Sequence, residues 1–460
     1  MGNTQYILLL FFFITFYTDA QRGNYKFENY GNRSILLSGN VTGSVEDIGL
    51  TYYNPARLTE VENTAFAINA QAYELTSLKL TNVVGEESTL SNDSFSGKPT
   101  MAGGTFKLFG NKFAYSFLSK SRADNSLNYT SDIVTKDILE VFPGEENYTV
   151  GLQLNSRIRD EWIGLTWATK MSKELSVGVS LFGSIYEYSG SSDLDYVIES
   201  FDSRVAYYQN NIGVSQNSYG LVLKMGANYR LKNIDIGLNI NLPYLEISEK
   251  GSFQYKKVIA GISPENDLFI DTNLENLQSQ RKEPFGVSIG SGIPINKSKL
   301  HLNVDYVSGI KNYKVINVPN INTGADEVSE VNFEEERKDV INFGVGMEFY
   351  ISEKLSSYIS FSTDFNGFSK NATIFDLTSD SGKDINITDD FIHMGLGVDW
   401  KMKWASLILG TTRASSGASE FSRPLDPTDD GMDNEVTQYD FSRWQFIVGI
   451  EIPFLEKSLE

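Results

Sequence analysis

Cysteine is absent from the 460 residues, and histidine occurs twice. The first absence excludes a disulfide framework, a thiolate metal site and a thiol nucleophile. The second leaves little material for a zinc enzyme. Positive charge is scarce: 39 Lys and Arg face 59 Asp and Glu, a formal charge of −20. A surface of that sign does not neutralise phosphates, so nucleic acid is not an expected partner. Long apolar runs are missing too. The longest, Tyr6 to Tyr17, precedes Thr18-Asp19-Ala20 with small residues at the −3 and −1 positions of a cut before Gln21. That reads as a signal peptide over residues 1–20. Beyond it nothing approaches the roughly 18 apolar residues of a membrane helix. An exported chain without a helical anchor is either a secreted β protein or an outer-membrane barrel.

Glycine (38), tyrosine (24) and phenylalanine (29) are plentiful, and one plan repeats. Two alternating segments flank a very short turn, and a long polar stretch follows. The turns fall at Gly110-Asn111, Lys170–Glu174, Leu231–Asn233, Asn296–Ser298, Ser352–Lys354 and Lys401–Lys403. Those six hairpins give twelve strands. An unpaired strand at Thr64–Leu75 precedes them and another at Arg443–Phe454 follows, which makes fourteen. An even number puts both ends on one rim, with all six tight turns there and seven loops of about 22 to 40 residues opposite. The expected fold is all-β: a fourteen-stranded antiparallel transmembrane barrel over residues 64–454, with a short tail at 455–460. Alternation agrees, since Trp444, Phe446, Val448, Ile450, Ile452 and Phe454 share a face opposite Gln445, Gly449 and Glu451. A sandwich gives the same period but leaves the asymmetry of turns and loops unexplained. Trp162, Trp400, Trp404, Trp444 and Tyr350 are expected in interfacial girdles.

Residues 21–63 lie between the signal cut and the first strand. They disperse Ile, Leu, Val and Tyr among Gly, Ser and Asn, a composition that suits irregular packing rather than a linker. A fourteen-stranded lumen is too wide for wall side chains to fill. The segment is therefore expected to enter from the periplasmic side as a plug. Within it Asn54-Pro55-Ala56 forms a rigid turn: Pro55 fixes the backbone, Asn54 bonds the local chain and Ala56 allows close packing.

The stretch "DIGLTYYNPARL" within this arrangement resembles the FadL/TodX-type outer-membrane transporters of hydrophobic compounds. The resemblance is sharp over about Gly39 to Leu58 and carries to Asp47, Tyr53, Asn54, Pro55 and Ala56. Arg57 stands where that family often has Gly. The resemblance implies a plugged barrel that takes long-chain fatty acids or aromatic hydrocarbons from outside by passive, ligand-gated diffusion. It also implies a sideways exit at a kinked strand, though the third strand, Lys112 to Lys120, has no Gly or Pro to mark one.

Candidates for an apolar groove are Ile48, Leu50, Tyr52 and Tyr53, or these form only the core of the plug. A carboxylate head would want a cation, and Arg57, Lys107 and Lys224 are candidates unless they pair with lumen acids such as Asp399 or Glu451. His301 and His393 sit on polar strand faces with Asp305 and Asp399, where polar residues are expected anyway. No catalytic residue, metal or cofactor is expected. The acidic stretch Asp426–Glu435 starts like a calcium loop, but Thr437 stands where the bidentate Glu belongs. The expected partners are a hydrophobic small molecule, outer-membrane lipid and lipopolysaccharide, with the chain a monomer. The other readings are a structural or adhesive surface barrel and a general porin.

Overall fold

The computed structural model describes residues 23–61 and 64–453, the latter without 82–88, 137–141, 143, 263–266, 323–327, 330, 370–375, 378–389, 417–418 and 423–435. The signal stretch, the tail and the acidic stretch Asp426–Glu435 lie outside the described residues.

Fourteen antiparallel strands close into a barrel. They are β1 (Thr64–Thr81), β2 (Thr89–Leu108), β3 (Asn111–Thr130), β4 (Glu146–Lys170), β5 (Leu175–Glu199) and β6 (Val205–Leu231). Next come β7, in two pieces (Ile234–Asn241 and Leu245–Ala260), and β8, also in two (Leu268–Leu277 and Gly286–Ile295). The ring continues through β9 (Ser298–Val307), β10 (Val340–Ser352), β11 (Leu355–Asp364), β12 (Phe391–Lys401), β13 (Ser406–Ser415) and β14 (Val436–Pro453). β14 pairs with β1 from Thr64↔Pro453 to Thr81↔Gln438, which closes the ring.

The alternation expected of the wall is present, with its apolar face outward. Trp444, Phe446 and Val448 are exposed, whereas Arg443, Gln445 and Ile447 are buried. On β3, Tyr115 is exposed between buried Ala114 and Ser116. Leu181, Ile236, Leu302, Val345, Ile359 and Leu396 extend this apolar exterior around the ring. Such a band is a liability in water and fits hydrocarbon, so the barrel is a membrane-spanning one.

Two expectations need correction. The stretches read as long loops among the first eight strands are largely strand, whereas the three later ones hold only short strand pieces among the described residues. β6 runs 27 residues, far more than the roughly 9–11 tilted residues that cross a bilayer. β5 and β6 pair out to Glu199↔Val205, joined by five residues. Polar stretches in their middle hid this extension, although Tyr148, Val150 and Leu152 of β4 and Leu194, Tyr196 and Ile198 of β5 keep an alternating buried stripe at the far end. Trp162 is no girdle residue either: it shares the inward face with Thr166 and is 4% exposed.

Residues 23–61 lie inside this ring, with a helical turn α1 (Arg33–Leu36), a second α2 (Leu50–Tyr53) and a 3₁₀ turn (Pro55–Thr59). The segment touches the inner face of the wall all the way round. Glu28 accepts from Gln71 on β1, Tyr30 Oη donates to the Lys120 carbonyl on β3, and Ser44 meets His301 on β9. Ser38 bonds Ser360 on β11, and Arg33 pairs with Glu451 on β14. Inward glycines let it approach: a Cβ on Gly226 would strike Asn54, and one on Gly395 would meet the Leu36 backbone. Its course runs along the lumen. Tyr25 N–H donates to Asp364, far from the tight turn of β10–β11, and the chain then descends to Glu60 at the short-turn rim.

Candidate functional site

The inner segment folds around one carboxylate. Asp47 accepts from the Arg33 and Ser34 amides (2.6 and 2.8 Å), the Ser34 hydroxyl (2.8 Å) and the Gly49 amide (2.9 Å). It thereby ties α1 to the entrance of α2, a set of helix-terminal N–H groups that a charged acceptor satisfies well. The Asn54-Pro55-Ala56 turn follows. The Asn54 side chain accepts from Ala56 N–H (3.1 Å) and donates to the Thr42 carbonyl (2.7 Å) and to the Ala227 carbonyl on β6 (3.1 Å). Pro55 opens the 3₁₀ turn, where its missing N–H costs nothing. The turn thus ends a helix, starts another and docks on the wall.

Above the segment its tyrosines pack with aromatic side chains of β4 and β5 into one buried cluster, which Lys120 of β3 and Lys224 of β6 flank. The Tyr52 ring centroid lies 4.6 Å from that of Tyr30, 5.1 Å from that of Tyr53 and 6.1 Å from that of Trp162. Trp162 meets Phe182 at 5.4 Å. Two ammonium groups enter this apolar place. Lys224 Nζ sits 3.6 Å from the Tyr52 ring centroid and donates to Asn241 (2.7 Å). Lys120 Nζ lies 5.9 Å from the Trp162 ring centroid. Neither has a carboxylate within ion-pair distance among the described residues, although Lys224 is 2% exposed. A buried cation without an anion is costly.

The wall parts beside this cluster. β2 and β3 pair only from Leu108↔Asn111 to Met101↔Leu118. Beyond that row β2 continues on β1 as far as Thr81↔Thr89, and β3 continues on β4 as far as Thr130↔Gly151. The two strands therefore separate into a seam. A bulge between Ser119 and Ser121 lets Lys120 leave the β3 ladder at that point. The upper end of the inner segment bars the seam. Glu28 binds Lys98 of β2 (2.9 Å) and Arg443 of β14 (2.9 Å), and Lys98 Nζ also donates across to the Arg122 carbonyl of β3 (3.1 Å). Burial would raise the Glu28 carboxyl, but the two cations hold it down at about 2.

No protein-family model and no curated protein matches the sequence. Solved structures do match. The toluene transporter TodX of Pseudomonas putida superposes with a TM-score of 0.54 at 10% identity, over 93% of this chain and 99% of that one. A FadL homologue of Pseudomonas aeruginosa gives 0.54 at 10% identity, over 94% and 100%. The toluene transporter TbuX of Ralstonia pickettii gives 0.50 at 10% identity, over 93% and 99%. The fold is that of the FadL/TodX-type outer-membrane channels.

Within this FadL/TodX-type fold the residues expected to meet a ligand fall in four places. Tyr52 is part of the cluster and Lys224 flanks it. Ile48, Leu50 and Tyr53 are buried in the segment's own core, where the Tyr53 hydroxyl accepts from the Tyr30 amide (3.0 Å). Arg57 is occupied at the short-turn end: it donates to the Val45 carbonyl (3.1 Å) and pairs with Asp235 (3.2 Å). Lys107 is exposed beside the Phe109-Gly110 turn, away from the cluster. Of the acids expected as partners for these cations, Glu451 serves Arg33 instead. Both histidines hold the segment: His301 Nδ1 bonds Ser44 (2.7 Å), and His393 Nε2 meets Asp364 (3.1 Å), which also binds Tyr25. Sequence reasoning missed Tyr30, Lys120, Phe182 and the lumen role of Trp162. A signal existed for Trp162, since its strand places Ile163, Leu165 and Trp167 on the opposite, lipid face.

Proposed function

We propose that the protein carries hydrophobic compounds across the bacterial outer membrane, through a barrel that its N-terminal segment plugs. The observation that carries this reading is the aromatic cluster set between a filled lumen and a parted wall. An apolar solute gains nothing from a water-filled pore. Inserted among Tyr30, Tyr52, Trp162 and Phe182, it buries its surface at roughly 25 cal/mol per Å². The β2–β3 seam then offers a way out into the bilayer that avoids the aqueous route. Release requires the Glu28 contacts to loosen, and a ligand drives that only by binding better to the loosened state.

The lysines narrow the substrate class. Lys120 and Lys224 bring two amino groups to the cluster, and the nearby acids Asp160 and Glu283 already pair with Arg281, which suits an amphiphile with one anionic head. Long-chain fatty acids are therefore favoured over neutral aromatic hydrocarbons. The test is saturable binding of a radiolabelled long-chain fatty acid and of toluene to purified protein, with uptake by cells. Tyr52→Ala and Trp162→Ala are expected to weaken both ligands. Lys224→Gln is expected to weaken the fatty acid about tenfold, the loss of one charge-assisted contact of roughly 1.5 kcal/mol, and to spare toluene. Equal binding of both ligands by all variants would refute the site, and absence of uptake would refute the function.

A further inference from the structure

The wall has a second break, and it lies on the same ladder row as the first. Leu118, the last β3 residue paired to β2, lies opposite Trp162 of β4, which lies opposite Ser184 of β5. Ser184 in turn lies opposite Gly220 of β6, and Gly220 opposite Glu246 of β7. At Glu246 the wall parts again. β8 pairs with β7 up to Asn241↔Gly286 on one side and resumes at Gly251↔Leu277 on the other. Residues 242–250 of the β7 path have no ladder partner in β8.

Of the eight residues that would fill this gap, 278–285, the first five turn inward, while the Glu283 and Phe285 carbonyls still meet the wall. Their departure is written locally. Asn276 has a left-handed backbone (φ 55°), a conformation Asn tolerates better than most residues, and β8 slips register there. Pro243 interrupts β7 opposite, where a ladder donor would be needed. The strap is tied inward and, at fewer points, to its neighbours in the sheet: Tyr244 N–H donates to the Glu283 carbonyl (3.4 Å), Arg281 N–H to Glu246 (3.1 Å) and Ser308 N–H to the Phe285 carbonyl (2.9 Å). Ser279 bridges Ile316, Gln280 N–H donates to the Val315 carbonyl (2.8 Å), and Gln216 donates to the Gln280 carbonyl (3.0 Å). Arg281 is its latch. The guanidinium binds Asp160 (2.7 Å), Glu283 (2.9 Å) and Ser184 (3.1 Å), and lies 4.1 and 4.8 Å from the Tyr186 and Tyr244 ring centroids. It is 8% exposed. On the outer side the free edge presents Leu245 and Ile247, 62% and 65% exposed.

We propose that this break is a second lateral opening, through which uncharged hydrophobic solutes pass between the cluster and the bilayer when the strap swings away. The proposal rests on the transport reading. Two features distinguish it from the β2–β3 seam. Its bar is a strap of the wall strand itself, and its latch joins that strap to β4 and β5 without any residue of the inner segment. The two openings are therefore released separately.

The test uses full-length protein in cells and the uncharged fluorophore N-phenyl-1-naphthylamine, whose fluorescence rises on entering lipid. Arg281→Gln removes the latch and is expected to raise the entry rate several-fold. Asp160→Asn is expected to raise it less. In the Arg281→Gln background, Ser279→Cys with Ile316→Cys lets a disulfide hold the strap, and the native chain has no cysteine to interfere. Oxidation is expected to return the rate to that of the unmutated protein, and dithiothreitol to restore the increase. Heat-modifiable electrophoretic mobility identifies folded barrels, and rates are taken per folded barrel. An Arg281→Gln rate equal to that of the unmutated protein would overturn the proposal, as would an increase that the disulfide leaves unchanged. If cells with the unmutated protein take up neither the dye nor a long-chain fatty acid above cells lacking the barrel, the transport reading falls and this opening with it.

Discussion

The wall and the segment it encloses are held by different forces. The wall is a ladder of backbone hydrogen bonds that closes on itself between β14 and β1. Any residue that keeps its backbone extended preserves it, so the wall tolerates sequence change and announces itself only by period two. The inner segment has almost no regular structure. It is held by a few side chains: Asp47 on four donors, Asn54 on three partners, and Glu28 between Lys98 and Arg443. The difference teaches where each part fails. Single substitutions are expected to leave the barrel standing while releasing what it contains.

Removing residues 21–63 is the strongest way to probe that contrast. The barrel is expected to fold, and single-channel conductance in planar bilayers to rise about tenfold or more, because a fourteen-stranded lumen is not filled by its own side chains. Failure of the deleted protein to insert would show that the wall depends on its contents. Gly226→Leu comes next. Its side chain would enter the space of Asn54 and Pro55, an overpacking that costs about 1–3 kcal/mol. Frequent openings in single-channel records are expected, with unchanged heat-modifiable mobility. Asn54→Ala removes three hydrogen bonds of about 1 kcal/mol each and leaves the Thr42 and Ala227 carbonyls without that donor. Briefer openings than those of Gly226→Leu are expected.

The smallest effect concerns pH. Glu28 has its pKa lowered to about 2 in the folded state, so its contribution is fully present above the ordinary carboxylate value near 4.5. It is lost only as pH falls through the window between them. Conductance of the unmutated protein is therefore expected to stay flat from pH 8 to about 5 and to rise only below about 4. Opening near pH 6 would mean that another group bars the seam.

The same contrast decides what was legible in the sequence. Fourteen strands, six tight turns and the lipid-facing stripe of β14 could be read because alternation and turn chemistry are local. The outer halves of β5 and β6 were missed because polar stretches such as Ser189–Ser192 and Gln209–Asn211, which still pair, separate the stripe of Leu194, Tyr196 and Ile198 from the lipid-facing one. Asn54-Pro55-Ala56 was legible as a turn, and its local bond to Ala56 was foreseeable from Asx chemistry. Its bond to Ala227 was not, because that depends on which wall glycine the turn meets. The cluster was half legible. Tyr52 and Lys224 stood out by position, whereas Lys120 reaches it through a bulge that neither Gly nor Pro marks.

Photo-crosslinking of a long-chain fatty acid to the purified protein tests the central claim most directly. The acid carries a diazirine midway along its chain, and attachment sites are mapped by peptide mass spectrometry. Labelling is expected at Tyr30, Tyr52, Trp162 and Phe182, and is expected to be competed by unlabelled acid. Labelling confined to the lipid-facing band or the outer strand extensions, and indifferent to competitor, would contradict the account.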